Sequence, residues 1–132
     1  MLNRLRNPKP FSLDLSLLVL RIAAGGLMLL HGIPKLLHFA ERAPKFSDPL
    51  GISLPASLAL TVFAEFFCSV LVILGLWTRI ALIPLLITMG VVFFIVHGND
   101  SLGERELPLF YLLAYTAIFL AGPGKYSADG LR

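Results

Sequence analysis

Four apolar runs account for most of this chain, and they limit its folds before any motif is considered. Residues 13–37, 56–77, 80–97 and 106–121 each carry few charges, and a helix crossing a hydrocarbon layer of ~30 Å needs about 20 apolar residues. The sequence predicts an all-α integral membrane protein, a four-transmembrane-helix bundle forming a single domain over residues 1–132. Composition agrees: 57% of residues are hydrophobic, 14% are charged and mean hydropathy is +0.83. Such a chain would aggregate in water. The lipid bilayer is its expected surrounding, and no length remains for a soluble catalytic domain.

Punctuation between the runs fits this division. Residues 1–11 form a basic lead with Arg4, Arg6 and Lys9; a cleaved signal peptide is disfavoured because the following apolar run continues to Leu37. A polar loop over 38–55 carries Glu41, Arg42, Lys45 and Asp48. Gly75 to Arg79 demands a tight turn, Gly98 to Ser101 stops the third run, and Gly122-Pro123-Gly124 stops the fourth. Pro84 is expected near the first turn of its helix, where proline costs least. The fourth run reaches only ~22 Å at 1.5 Å per residue, so thinned lipid or burial inside a bundle must accommodate it.

Basic flanks set the orientation. Arg4, Arg6, Lys9, Arg79, Lys125 and Arg132 lie on one side, and Lys35, Arg42, Lys45 and Arg105 on the other. The bias places both termini in the cytoplasm. The modest charge of +3, spread over helix ends, argues against nucleic acid as a partner. Cys68 is the single cysteine, so one chain builds no disulfide or dithiol. A small buried hydrophobe is its plainer role.

Chemistry must come from ionisable groups inside the runs, because each costs at least ~2.5 kcal/mol at mid-bilayer. Arg21, His31 and Lys35 fall within about 80° of one another on a helix of 100° per residue. Gly25 and Gly32 lie beside them, where small residues admit a neighbouring helix. Ser57, Thr61, Glu65 and Ser69 recur every four residues and place Glu65 on an inward stripe. Axial arithmetic brings Glu65 to within ~6 Å of the level of Arg21, and an ion pair between them is expected, holding the two helices in register. His31, Lys35, His97 and Glu106 gather toward the opposite boundary, with His38, Glu41, Asp100 and Glu104 in the adjoining loops. Histidines and buried carboxylates together move protons near neutral pH. Snorkelling is the plain reading of Lys35. The two histidines lack a metal-ligand spacing, so no metal is expected. Tyr111, Tyr115 and Phe119 form a stripe that reads first as core packing and second as the flank of a quinone ring.

Leu20-Arg21-Ile22, then Leu30-His31-Gly32-Ile33-Pro34-Lys35-Leu36, Glu65, Leu74-Gly75-Leu76-Trp77-Thr78-Arg79, Val96-His97 and the tail Gly122-Pro123-Gly124-Lys125-Tyr126-Ser127-Ala128-Asp129 together resemble the DoxX family. Their order and spacing carry the resemblance across nearly the whole chain. It implies a multi-pass protein of the bacterial inner (cytoplasmic) membrane, related to the DoxD subunit of thiosulfate:quinone oxidoreductase and labelled a quinol-linked oxidoreductase. It also implies association with soluble redox enzymes as partners. The family pattern falls on Arg21, His31, Gly32, Lys35, Glu65, His97 and Glu106.

Three functions follow as expectations. In the first, an oxidoreductase component binds quinone or a similar molecule in a vestibule near the outer face. His31, Glu65 and His97 serve there as catalytic, proton-handling groups, and Lys35, Arg21 and Glu106 bind the substrate. No flavin, haem or nucleotide motif is present, so electrons need a bound quinone or a partner. The second is a non-catalytic scaffold for soluble redox enzymes, and the third a small-solute transporter. The small lipid-facing domain also makes a homo-oligomer plausible.

Overall fold

The computed structural model describes residues 2–42 and 51–131. Lys45, Asp48 and Arg132, used above for the loop and the charge bias, lie outside the described residues. Those residues form helices and turns and contain no strand.

Four long helices make the bundle. The first, α1, is Leu13–Leu37. Ser12 caps it by accepting the Leu15 amide at 3.1 Å, and Asp14 adds an anion to the first turn, where free N–H groups favour negative charge. The second, α2, is Leu54–Leu74. It begins before the expected residue 56 because Ser53 accepts the Ala56 amide at 3.1 Å and Pro55 fits the first turn. It ends before the expected residue 77 because Gly75, at φ 69°, takes the left-handed conformation that closes a helix. The third, α3, is Thr78–Val96. Starting two residues earlier than expected, it has Pro84 inside the helix, where a backbone hydrogen bond is lost. The fourth, α4, is Glu106–Ala121.

α1, α2 and α3 are long and apolar enough to cross a membrane, whereas α4 has 16 residues. α1 packs on α2 and α4, and α3 on α2 and α4. Met28, Val72, Leu82, Leu85, Tyr115 and Ile118 fill the centre. Val19, Phe67, Ile87, Phe94 and Leu120 point outward from all four helices. A water-soluble bundle would bury such residues; here the outer surface is apolar and the buried set includes Arg21, Glu65, Ser69 and Thr78.

Two stretches depart from α geometry. Phe63–Cys68 in α2 and Val92–Val96 at the end of α3 are π-helical. A π turn widens the helix by one residue and occurs frequently at functional sites. Glu65 lies in the first stretch, and His97 immediately follows the second.

The tail beyond α4 folds back onto the bundle. Ala128 and Asp129 donate their amides to the Leu74 and Gly75 carbonyls, both at 2.9 Å. The Asp129 carboxylate accepts from the amides of Trp77 and Thr78 and from the Thr78 hydroxyl at 2.9–3.0 Å, capping α3. Asp14 of α1 accepts the Lys125 amide at 3.0 Å. The start of α1, the turn between α2 and α3, and the chain after α4 therefore share one end of the bundle.

Candidate functional site

α1 and α2 meet through glycine. A side chain on Gly32 would lie 2.7 Å from the Glu65 carbonyl carbon and oxygen, and one on Gly25 would lie 2.7 Å from Ile73 and 3.2 Å from the Ser69 carbonyl. Only residues without a Cβ allow the helices this approach. The contact fixes the axial register: Gly32, rather than a residue deeper in α1, stands opposite Glu65.

That register decides the ion pairs. Lys35, one turn beyond Gly32, places Nζ 2.6 Å from Glu65 Oε1. Arg21 is eleven residues back from Gly32 along α1, roughly 16 Å away along the axis, and the expected Arg21–Glu65 pair does not form. The arithmetic aligned the helix ends, but the backbone contact at Gly32 sets the alignment instead. Arg21 is fully buried and donates to the Val72 and Ile73 carbonyls at 3.2 and 3.0 Å and to the Tyr126 carbonyl. The guanidinium thus satisfies carbonyls at the closing turn of α2 and ties them to the tail.

At the other end of the bundle, a half-open cavity of ≈ 320 Å³ lies between all four helices. α1 contributes Met28, His31 and Lys35; α2 contributes Glu65. Met89 and Val92 come from α3 and His97 from the residue just after it, Leu107, Pro108 and Tyr111 come from α4, and Glu104 enters from the short turn before it. Its volume is at the lower end of those that hold small ligands. Its lining mixes ionisable groups with thioether, aliphatic and aromatic side chains.

Four of the sequence-derived site residues come together here: His31, Lys35, Glu65 and His97. Arg21 lies at the far end of the bundle, and Glu106 is exposed outside the lining. Glu104 lines the cavity in its place. The turn Leu102–Arg105 explains the exchange: Arg105 stacks 4.4 Å over the Phe93 ring and donates to the Phe93 carbonyl, drawing the turn over the π-helical end of α3. Tyr111, expected first as packing, faces the cavity with its ring edge-on to His31 at 6.0 Å. The tyrosine stripe was the available signal for it. Tyr115 remains core, wholly buried and stacked on Tyr111 at 5.8 Å.

The Lys35–Glu65 pair is poised chemically. Its side chains are 20% and 4% exposed, so the ammonium meets the cavity while the carboxylate is held behind it. A carboxylate this deep is costly to bury without a partner, and Lys35 supplies one. His97 contacts Asp100 through Nδ1 at 2.7 Å. Donors, acceptors and two imidazoles therefore share one cavity with apolar side chains, a lining suited to an amphipathic ligand with a polar head. No cluster of metal-ligating His, Cys, Asp or Glu occurs among the described residues.

The family model for DoxX matches residues 16–98, well over half the chain. The chain belongs to the DoxX family. The match runs from the first turn of α1 to just past α3, and so covers the Gly32 contact, the Lys35–Glu65 pair and His97 of this DoxX protein, while α4 and the tail lie beyond it. An uncharacterized membrane protein of Mycobacterium tuberculosis is 31% identical over 129 residues, covering 86% of this chain and 79% of the relative. An uncharacterized protein of Haemophilus influenzae is 29% identical over 135 residues, covering 97% and 96%. No solved structure matches.

Proposed function

We propose that this DoxX protein is a membrane oxidoreductase component that binds a quinone or quinol headgroup between His31, Lys35, Glu65, His97 and Tyr111. The carrying observation is the Lys35–Glu65 pair in a cavity lined by ionisable and apolar side chains together. A quinone carbonyl accepts from Lys35, the ring packs against Tyr111 and the methionines, and the histidines exchange the protons that accompany electron transfer. A soluble redox partner supplies or removes the electrons. The chain crosses a bacterial inner membrane four times with both termini in the cytoplasm; exposed Arg4, Arg6, Lys9 and Lys125 at the tail end support that orientation. The cavity then opens toward the outer face.

Titrating decylubiquinone into purified protein in nanodiscs tests the reading. Saturable binding is expected, lost in Lys35→Leu combined with Glu65→Leu and in His31→Ala while both variants remain folded. Equal partitioning of the probe into protein-containing and empty discs would overturn it.

A further inference from the structure

His97 terminates α3, and its ring has two unlike nitrogens. Nδ1 lies 2.7 Å from Asp100 Oδ2, while the ring lines the cavity and Nε2 has no hydrogen-bond partner among the described residues. The chain holds Asp100 in this position by its backbone. The Asp100 amide donates to the His97 carbonyl at 3.0 Å, and a side chain on Gly98 would run into the Phe94 carbonyl. The turn therefore needs glycine at 98 and returns Asp100 onto the ring. At the far lip, Arg105 holds the Phe93 carbonyl of the same π-helical segment, so the segment carrying His97 is fixed from both sides.

An imidazole beside a carboxylate places its proton on the nitrogen facing that carboxylate, and the other nitrogen is left as an acceptor. We propose that Asp100 is a positioning residue: it holds neutral His97 as the Nδ1–H tautomer and presents Nε2 to the cavity as a proton acceptor. The ligand class follows, resting on the proposed function. A hydroxyl of a reduced, quinol-like head donates to Nε2, while Lys35 donates to an oxygen elsewhere on the ring. His97 and Lys35 then read opposite hydrogen-bonding characters of one ligand. The carboxylate also stabilises the imidazolium formed when the proton moves from that hydroxyl to Nε2.

The test is spectroscopic first. The chain has three histidines, so ¹⁵N-histidine-labelled protein in nanodiscs, with His31→Gln and His38→Gln for assignment, resolves the His97 ring. Two-bond ¹H–¹⁵N correlations on the neutral ring should show the proton on Nδ1. Asp100→Leu should shift the population toward Nε2–H, and Asp100→Glu should restore Nδ1–H. A wild-type ring protonated on Nε2, or a tautomer unchanged in Asp100→Leu, overturns the proposal. The second arm measures decylubiquinol binding. Asp100→Leu should weaken it about tenfold, the scale of one hydrogen bond to a charged group, and His97→Gln combined with Asp100→Leu should lose no more than His97→Gln alone. Wild-type affinity in Asp100→Leu also overturns it. If wild-type protein binds no decylubiquinol, the quinone reading falls, and the tautomer measurement alone decides the role of Asp100.

Discussion

At the scale of single residues, Glu65 and Lys35 depend on each other. Removing one partner of a buried pair strands the other charge, at a cost of about 3–5 kcal/mol, whereas apolar replacement of both is near neutral. Glu65→Gln should therefore lower the thermal midpoint in detergent, and Lys35→Leu combined with Glu65→Leu should recover most of it. The double variant should still fail to bind decylubiquinone, which separates the pair's contribution to folding from its contribution to the cavity. Gly32 gives a second expectation. A methyl group there meets the Glu65 backbone at 2.7 Å, and backbone cannot rotate away as a side chain can, so Gly32→Ala should destabilise by roughly 1–3 kcal/mol and disturb the Lys35–Glu65 pair. Denaturant titration checks the first effect, and loss of probe binding the second. The charged residues themselves were legible in the sequence because ionisable groups stand out in apolar runs. Their pairing was not: it depends on where one backbone touches another.

At the scale of elements, the tail is a latch on α3. Asp129 accepts three hydrogen bonds at the start of that helix, and Trp77 adopts a φ of 48° in the turn they secure. Asp129→Ala should cost about 1–2 kcal/mol, the range for a lost helix cap, and amide exchange at residues 76–80 should quicken while exchange in α1 stays slow. Arg21→Met should do more damage, because it leaves carbonyls of α2 and the tail without their donor. The tail's Gly and Pro marked the stop of α4 in the sequence, but its return to α3 joins residues about fifty positions apart, and no local pattern records that. The π-helical stretches were likewise hidden. Phe63–Cys68 has the composition of any apolar helix, and the widened turn shows only in the backbone, where α1 closes on Glu65.

At the scale of the whole molecule, the bundle has two unlike ends. One carries the tail, the capping carboxylates Asp14 and Asp129, and exposed cations; the other carries the cavity and its histidines. Cys68 is buried, which keeps background labelling low. Single cysteines at Lys9 and Ser101, probed in intact cells with an impermeant maleimide, should therefore report opposite sides: Ser101→Cys labelled, Lys9→Cys labelled only after permeabilisation. The reverse pattern would turn the cavity toward the cytoplasm and reassign the side on which its ligand is met.

Hydrophobic length and isolated charge are properties of the chain read along its own axis, so the sequence alone settled the helical class and singled out the ionisable residues inside the apolar runs. Tertiary structure alone decided which of those residues meet. Glycines at 25 and 32 let two backbones touch, and that contact set an axial register giving Glu65 to Lys35 and Arg21 to the carbonyls of α2 and the tail. The turn after α3 then brought Glu104 to the cavity and left Glu106 outside. Each outcome depends on distances between segments, which the linear order of residues does not contain.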